Sequence, residues 1–235
     1  MTLHVAAIEH KAESNIHKWV QAEKTHRGLA TRDLTNQFGP YLALSRETGA
    51  CGSVVAKKVA ERLQWDLLDQ EIVDYMEQHY GTPRCLIQGV DERHENWLCS
   101  IFTSRIGGLG FSGATYAHRV TKLLLMAASH GNVVIVGRGA RFILPRERGL
   151  SVRIVAPMDF RVDQVMREQG IGEKEAHRFV VERDHDRDIY IKDHFRQKAS
   201  DPHLYDLVLN VGDISLDDAA DTIVESIGHF IRKAA

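Results

Sequence analysis

Two segments, VVIVG at Val133–Gly137 and VRIVA at Val152–Ala156, are almost unbroken apolar runs, and each is followed by residues at helical spacing. A strand with one wet face alternates apolar and polar residues. These two do not, so both of their faces need covering by helices, which is the situation of a parallel sheet. Further short strands are predicted at Tyr41–Ser45, Asp66–Asp69 and Leu207–Asn210, with helices at Ser53–Leu63, Gln70–His79, Ala117–His130, Asp159–Gln169, Glu173–Phe195 and Leu216–Lys233. The alternation predicts an α/β fold of three layers: a central parallel sheet between two layers of helices.

The stretch YLALSRETGACGSVVAKKVA, Tyr41 to Ala60, gives that sheet a chemical use. Tyr41 to Leu44 read as a buried strand, Gly49, Ala50, Cys51 and Gly52 keep the turn nearly free of side chains, and Val55, Val59 and Leu63 form the apolar stripe of a helix. Such a turn lets backbone amides converge on an anion at the helix N-terminus, where unpaired N–H groups and the helix dipole both favour negative charge. In the pattern G-x-x-x-x-G-K-[ST] a lysine reaches the terminal phosphates. Here Gly52 precedes Ser53, and no lysine occurs before Lys57. Glycines also serve turns and helix packing without any ligand, so the turn gains meaning only from the rest of the chain.

A hydrophobic share of 43% in 235 residues can build a sizeable core. Thirty basic against 32 acidic residues leave a net charge of −2, which gives no field to attract a nucleic acid. Any basic site is therefore local. No apolar run approaches the ~20 residues of a membrane span, and no signal sequence is recognisable, so a cytoplasmic location is expected. Cys51, Cys85 and Cys99 are too few and scattered for a disulfide framework or zinc site. The cluster around His185 lacks H-x-x-x-H or H-E-x-x-H spacing and reads as solvated surface rather than metal ligands.

Three regions depart from the strand–helix rhythm. Residues 1–40 form an extension with a predicted helix from Ser14 to His26, whose Ile16, Trp19 and Val20 make an apolar stripe expected to dock on the core or on a second subunit as a homodimer. Residues 83–116 run from Pro83 into GGLGFSG, a segment expected to be mobile or shaped by a ligand. The segment Val181 to Lys198 is dense in charge and reads as a solvated helix offering Arg183, Arg187, Lys192, Arg196 and Lys198.

Taken together, these pieces resemble the cytidylate kinase-like proteins. SRETGACG, with Ser45, Arg46, Glu47, Gly49 and Gly52, is similar to that family's S-R-E-x-G-S-G-G opening. VAKKVAERLQWDLLDQEIV resembles its next helix and strand, with Asp69 in its expected place. VVIVGRGARFILP and VRIVAPMDFRV resemble two later segments, the second bearing Arg161 where an arginine recurs. RDHDRDIYIKDHF is similar to the family's lid through Asp184, Arg187, Tyr190 and Lys192, and YDLVLNVGDISLDDAADTI resembles its last strand, turn and helix. The likeness runs in order over 41–235, so a core domain of those residues follows the extension at 1–40.

The resemblance implies a P-loop kinase fold with a helical lid and transfer of a phosphoryl group from ATP, with Mg²⁺, to a nucleoside monophosphate. Such transfer needs positioning and cations around the moving phosphoryl oxygens. Arg138, Arg187 and Lys192 are the implied catalytic cations. Arg46, Gly49, Ala50, Cys51, Gly52, Ser53 and Arg183 are implied to bind the nucleotide phosphates, with Ser53 as a Mg²⁺ ligand. Asp69, Arg138 and Asp184 would face the acceptor. Each has a plainer reading: Arg138 paired with a carboxylate, Asp69 capping the following helix, the lid helix carrying surface charge pairs. Cys51 replaces the family's usual glycine, as a small residue or as a thiol whose pKa a helix N-terminus would lower. Gly139 stands where cytidylate kinases carry an aspartate, which leaves the acceptor unassigned and CMP one candidate. Arg46 beside the turn is a candidate substitute for the absent lysine. The alternatives are a protein that binds nucleotide without transferring phosphate, and a purely oligomeric protein held by its extension.

Overall fold

The computed structural model describes residues 6–15, 38–74 and 114–234. Five strands, β1 (Tyr41–Arg46), β2 (Asp66–Leu68), β3 (Val133–Val136), β4 (Gly149–Val155) and β5 (Leu207–Asn210), form one sheet in the order β2-β3-β1-β4-β5. Every pairing is parallel. Tyr41 lies opposite both Val133 and Gly149, and Asp66 also opposite Val133, so four strands start at a common level and their carboxyl ends share one edge.

Alternate residues of the strands feed two cores. Tyr41, Ala43, Val133 and Ile135 pack on α2 (Ala114–His130) through Leu124 and Ala127, and on Phe195. Leu42, Leu44, Val134, Val136, Val152 and Ile154 pack on α1 (Gly52–Leu63) through Val55, Ala56 and Val59 and on α6 (Leu216–Ala234) through Ala220, Ile223 and Ile227. Full burial of such side chains contributes about 1.5–3 kcal/mol each, which explains why the central strands are apolar on both faces. The remaining helices are α3 (Ala140–Ile143), α4 (Met158–Gln169) and α5 (Glu173–Phe195). Helical backbone is also present over 6–15 and 70–74.

The predicted elements agree with this order to within a few residues, and the three-layer parallel fold is the one observed. Two differences have physical causes. The strand expected from Val152 begins at Gly149, because the ring of Tyr41 occupies the place a side chain at 149 would take, so only glycine can pair there. Helix α3 is too short for a periodicity to reveal. Within residues 1–40, helix 6–15 lies on the core through Ile8 and Ala12. The predicted helix Ser14–His26 beyond residue 15, the end of Gln70–His79 beyond residue 74, and residues 83–113 lie outside the described residues.

Candidate active site

The turn after β1 places four small residues at the carboxyl edge of the central strand. Gly49 (φ 76°) and Cys51 (φ 53°) are both left-handed, the first helped by having no side chain and the second a strained conformation for a residue with a Cβ. A Cβ on Gly49 would stand 2.4 Å from the carbonyl oxygen of Arg161, so the loop rests directly on the backbone of α4. Among the described residues, the N–H groups of Gly49, Cys51, Gly52 and Ser53 have no protein acceptor. They present donors where the sheet edge opens. Ser53 is exposed in the first turn of α1.

A buried ionic network holds this loop from beneath. Arg161, only 8% exposed, donates from Nε to the Ala156 carbonyl (3.0 Å) and from Nη1 to the Thr48 carbonyl (3.4 Å), and it pairs with Asp184 and Glu47. Arg153, also 8% exposed, donates to Ser45 Oγ (3.3 Å), approaches Glu47 Oε1 (3.5 Å) and lies over the Tyr205 ring. Glu47 thus sits between two buried guanidinium groups. Charges removed from water persist when paired and hydrogen-bonded on this scale.

The lid helix α5 crosses above. Asp184 accepts from the Thr48 amide (2.8 Å) and hydroxyl (2.7 Å), and Arg187 Nη1 donates to the same hydroxyl (2.7 Å). Further along α5, Tyr190 neighbours Arg138 and Asp74, and burial pushes its phenol pKa up despite the cation. Phe195 stacks on Phe142 at 5.0 Å and fills the space a side chain at Gly139 would need. One helix therefore touches the turns after both β1 and β3.

Three guanidinium groups come together between those turns. Burial chiefly, with Arg187 and Arg138 as neighbouring cations, lowers the Arg46 pKa to about 10; Asp69 opposes the shift. Burial likewise lowers that of Arg187, against the pull of Asp184. Arg138 occupies a left-handed position (φ 52°) between Gly137 and Gly139 and binds both oxygens of Asp74. Arg46 has a 3.4 Å contact to Gln70 Oε1 and, among the described residues, no carboxylate within ion-pair distance. Two of the three are already paired, Arg138 with Asp74 and Arg187 with Asp184.

The structure brings Arg46, Arg138 and Arg187 to this place beside Gly49–Ser53. Lys192 is exposed in the last turn of α5, and among the described residues no hydrogen bond or ion pair ties it to the cluster. Arg183 is exposed with its guanidinium over Phe179 at 5.3 Å. Asp69 caps the helix that follows, accepting from the Ile72 amide at 3.0 Å, and Asp184 is engaged with the loop. Of the two readings of Cys51, the lowered thiol pKa is corrected: burial first, then Glu168, pushes it up, against the pull of Arg167. Sequence reasoning missed Asp74, Thr48 and Arg153. Signals existed for Thr48, which lies inside the turn, and for Arg153, a charge within an apolar strand, and none for Asp74.

A parallel sheet of this order, with a small-residue turn leading from its central strand into a helix and a lid bearing arginine above, defines a P-loop kinase fold. Residues 41–213 match the model of the cytidylate kinase-like family, and the chain belongs to that family. It is 28% identical over 116 residues to a cytidylate kinase of Methanopyrus kandleri, covering 46% of this chain and 60% of that one. It is also 28% identical over 110 residues to a uronate isomerase of Corynebacterium glutamicum, covering 47% of this chain and 21% of that protein. The chain thus spans less than two thirds of either curated relative. A solved structure of an uncharacterized protein from Eubacterium ventriosum superposes with a TM-score of 0.66 at 26% identity, covering 80% of this chain and 98% of that one. Family and fold support a nucleotide kinase in general.

Proposed function

We propose that this protein transfers a phosphoryl group from ATP to a small nucleotide acceptor, CMP or a related monophosphate. The observation that carries the reading is the convergence of Arg46, Arg138 and Arg187 beside a turn whose amides at Gly49, Cys51, Gly52 and Ser53 have no acceptor among the described residues. An oxygen of the acceptor phosphate would bond to the γ-phosphorus while the bond from that phosphorus to the β,γ-bridging oxygen breaks, and ADP leaves with the electron pair. No proton need move. The protein's part is to align the two oxygens and to stabilise the equatorial charge, which guanidinium groups do well in a space screened from water.

The loop amides, Arg46 and Arg187 face the donor phosphates in this reading, and Arg138 faces the acceptor. Arg183 and Lys192, at the surface of α5, would act on a bound nucleotide only after the helix shifts. No group of three His, Cys, Asp or Glu side chains suited to a metal occurs among the described residues. The exposed hydroxyl of Ser53 and the nucleotide's own oxygens fit Mg²⁺, which when bound draws charge from the donor phosphates.

The alternative is a protein that binds nucleotide without transfer, and the engagement of Arg138 with Asp74 and of Arg187 with Thr48 and Asp184 is the observation in its favour. Product detection over a panel of monophosphates with ATP and Mg²⁺, beside calorimetric binding, separates the two. Arg138→Leu and Arg187→Leu should each lower transfer at least tenfold. Unchanged binding and transfer in both would overturn the site.

A further inference from the structure

Arg46 and Gly52 occupy the same space. A Cβ added to Gly52 would lie 2.5 Å from Arg46 Cβ and 2.9 Å from its Cγ, closer than real Cβ contacts, so the stem of the arginine already fills the place where a side chain at 52 would begin. The far end is seated in the same way. A Cβ on Gly137, which has φ 79°, would stand 2.3 Å from Arg46 Nη1. The arginine therefore runs from the turn after β1 to the turn after β3 along two glycines, and its guanidinium finishes beside Arg138 and Arg187 without a carboxylate within ion-pair distance among the described residues.

Set against the pattern G-x-x-x-x-G-K-[ST], with Ser53 at its final position, the residues RETGACGS put Arg46 at the first glycine and Gly52 at the lysine. The two positions have exchanged their roles. In this chain glycine at the seventh place leaves room for the arginine stem. Steric exclusion at 2.5 Å explains why both long side chains would not fit at once.

We propose that Arg46 is the cation that reads the terminal phosphate of the donor nucleotide in this protein, a reciprocal replacement for the loop lysine, with Gly52 and Gly137 as its seat. This rests on the nucleotide-binding reading above and adds to it which residue tells triphosphate from diphosphate. A guanidinium fixed at both ends of its stem offers two parallel donors to phosphate oxygens, whereas an ammonium offers a mobile point charge. Its hydrogen bonds to an ionised oxygen correspond to about a 10- to 100-fold preference for ATP over ADP.

The test is calorimetric titration of ATP, ADP and inorganic tripolyphosphate, with Mg²⁺, into the parent, Arg46→Gly, Gly52→Lys and the double variant Arg46→Gly/Gly52→Lys, each checked for folding by its thermal midpoint. Arg46→Gly should lose the ATP preference and weaken tripolyphosphate binding by at least tenfold. Gly52→Lys alone should gain nothing, since the arginine blocks it. The double variant, which restores the ordinary pattern at both places, should regain affinity to within about fivefold of the parent. Should Arg46→Gly fold poorly, Arg46→Gln keeps the stem, removes the charge and should show the same loss. ATP binding that Arg46→Gly or Arg46→Gln leaves within twofold, or a double variant no better than Arg46→Gly, overturns the exchange while leaving nucleotide binding intact. A parent that binds neither ATP nor tripolyphosphate overturns both.

Discussion

Replacing Asp184 by alanine removes the carboxylate that joins the lid helix to the loop after β1. Its Oδ1 accepts from the Thr48 amide at 2.8 Å and hydroxyl at 2.7 Å, and its Oδ2 pairs with Arg161 Nη1. Hydrogen bonds to ionised groups contribute about 1.5–3 kcal/mol each, but those that share one carboxylate do not add. Two further facts lower the sum. The Asp184 side chain is 28% exposed, so water stabilises part of its charge, and Arg161 retains Ala156, Thr48 and Glu47, so its charge is not stranded as in a fully broken buried pair. We expect a loss of about 2–4 kcal/mol for Asp184→Ala, which for a chain of this size lowers the thermal midpoint by roughly 6–12 °C near the middle of that range. Asp184→Asn keeps an acceptor for Thr48 and loses the charge toward Arg161, so about half of that loss is expected. Urea unfolding at unchanged slope is the assay. If both variants lie within about 0.5 kcal/mol of the parent, the carboxylate does not hold the lid and the reasoning fails.

Gly139→Ala places a Cβ 2.3 Å from the Phe195 ring at φ 69° and should cost about 1–3 kcal/mol, measured by the same unfolding curves; no loss would show that Phe195 moves aside freely. Because burial and Glu168 raise the Cys51 pKa, its thiolate is scarce at neutral pH and grows only as pH rises past the ordinary thiol value. Alkylation of the Cys51 peptide, followed by mass spectrometry, should be slower in the native protein than in urea, and Glu168→Gln should quicken it; equal native and denatured rates would refute this. Deleting residues 1–36 uncovers the core where Ile8 and Ala12 pack and should lower stability. If the extension also holds a homodimer, light scattering will show half the mass, and an unchanged mass speaks against that dimer.

What was readable in the chain follows from range of interaction. The sheet could be predicted because Val133–Val136 and Val152–Ile154 carry their burial on both faces in consecutive residues, and the turn at Gly49–Gly52 because its special backbone selects small residues locally. Arg46, Arg138 and Arg187 could be named from resemblance, but their meeting depends on strand order, which no local pattern encodes. Arg153 reads as an intrusion in an apolar strand until Glu47 and Tyr205 are placed around it. Asp74 looks like any surface acid, and Asp184 is singled out only by the family resemblance. Lys192 and Asp184 stand two turns apart on α5, and only the crossing of that helix over the sheet decides which reaches the loop.

The bond from the Thr48 amide to Asp184 also ties a measurable clock to the lid. That amide hydrogen can exchange with solvent only when the carboxylate moves away, and the carboxylate sits on the same rigid helix as Phe195, which packs against Gly139 and Phe142. Lifting α5 should therefore expose the turns after β1 and β3 in one event rather than two. Deuterium uptake at Thr48 would then report the fraction of time the whole cover is open, and an occupant of the space between Arg46, Arg138 and Arg187 would lower that fraction and slow the uptake.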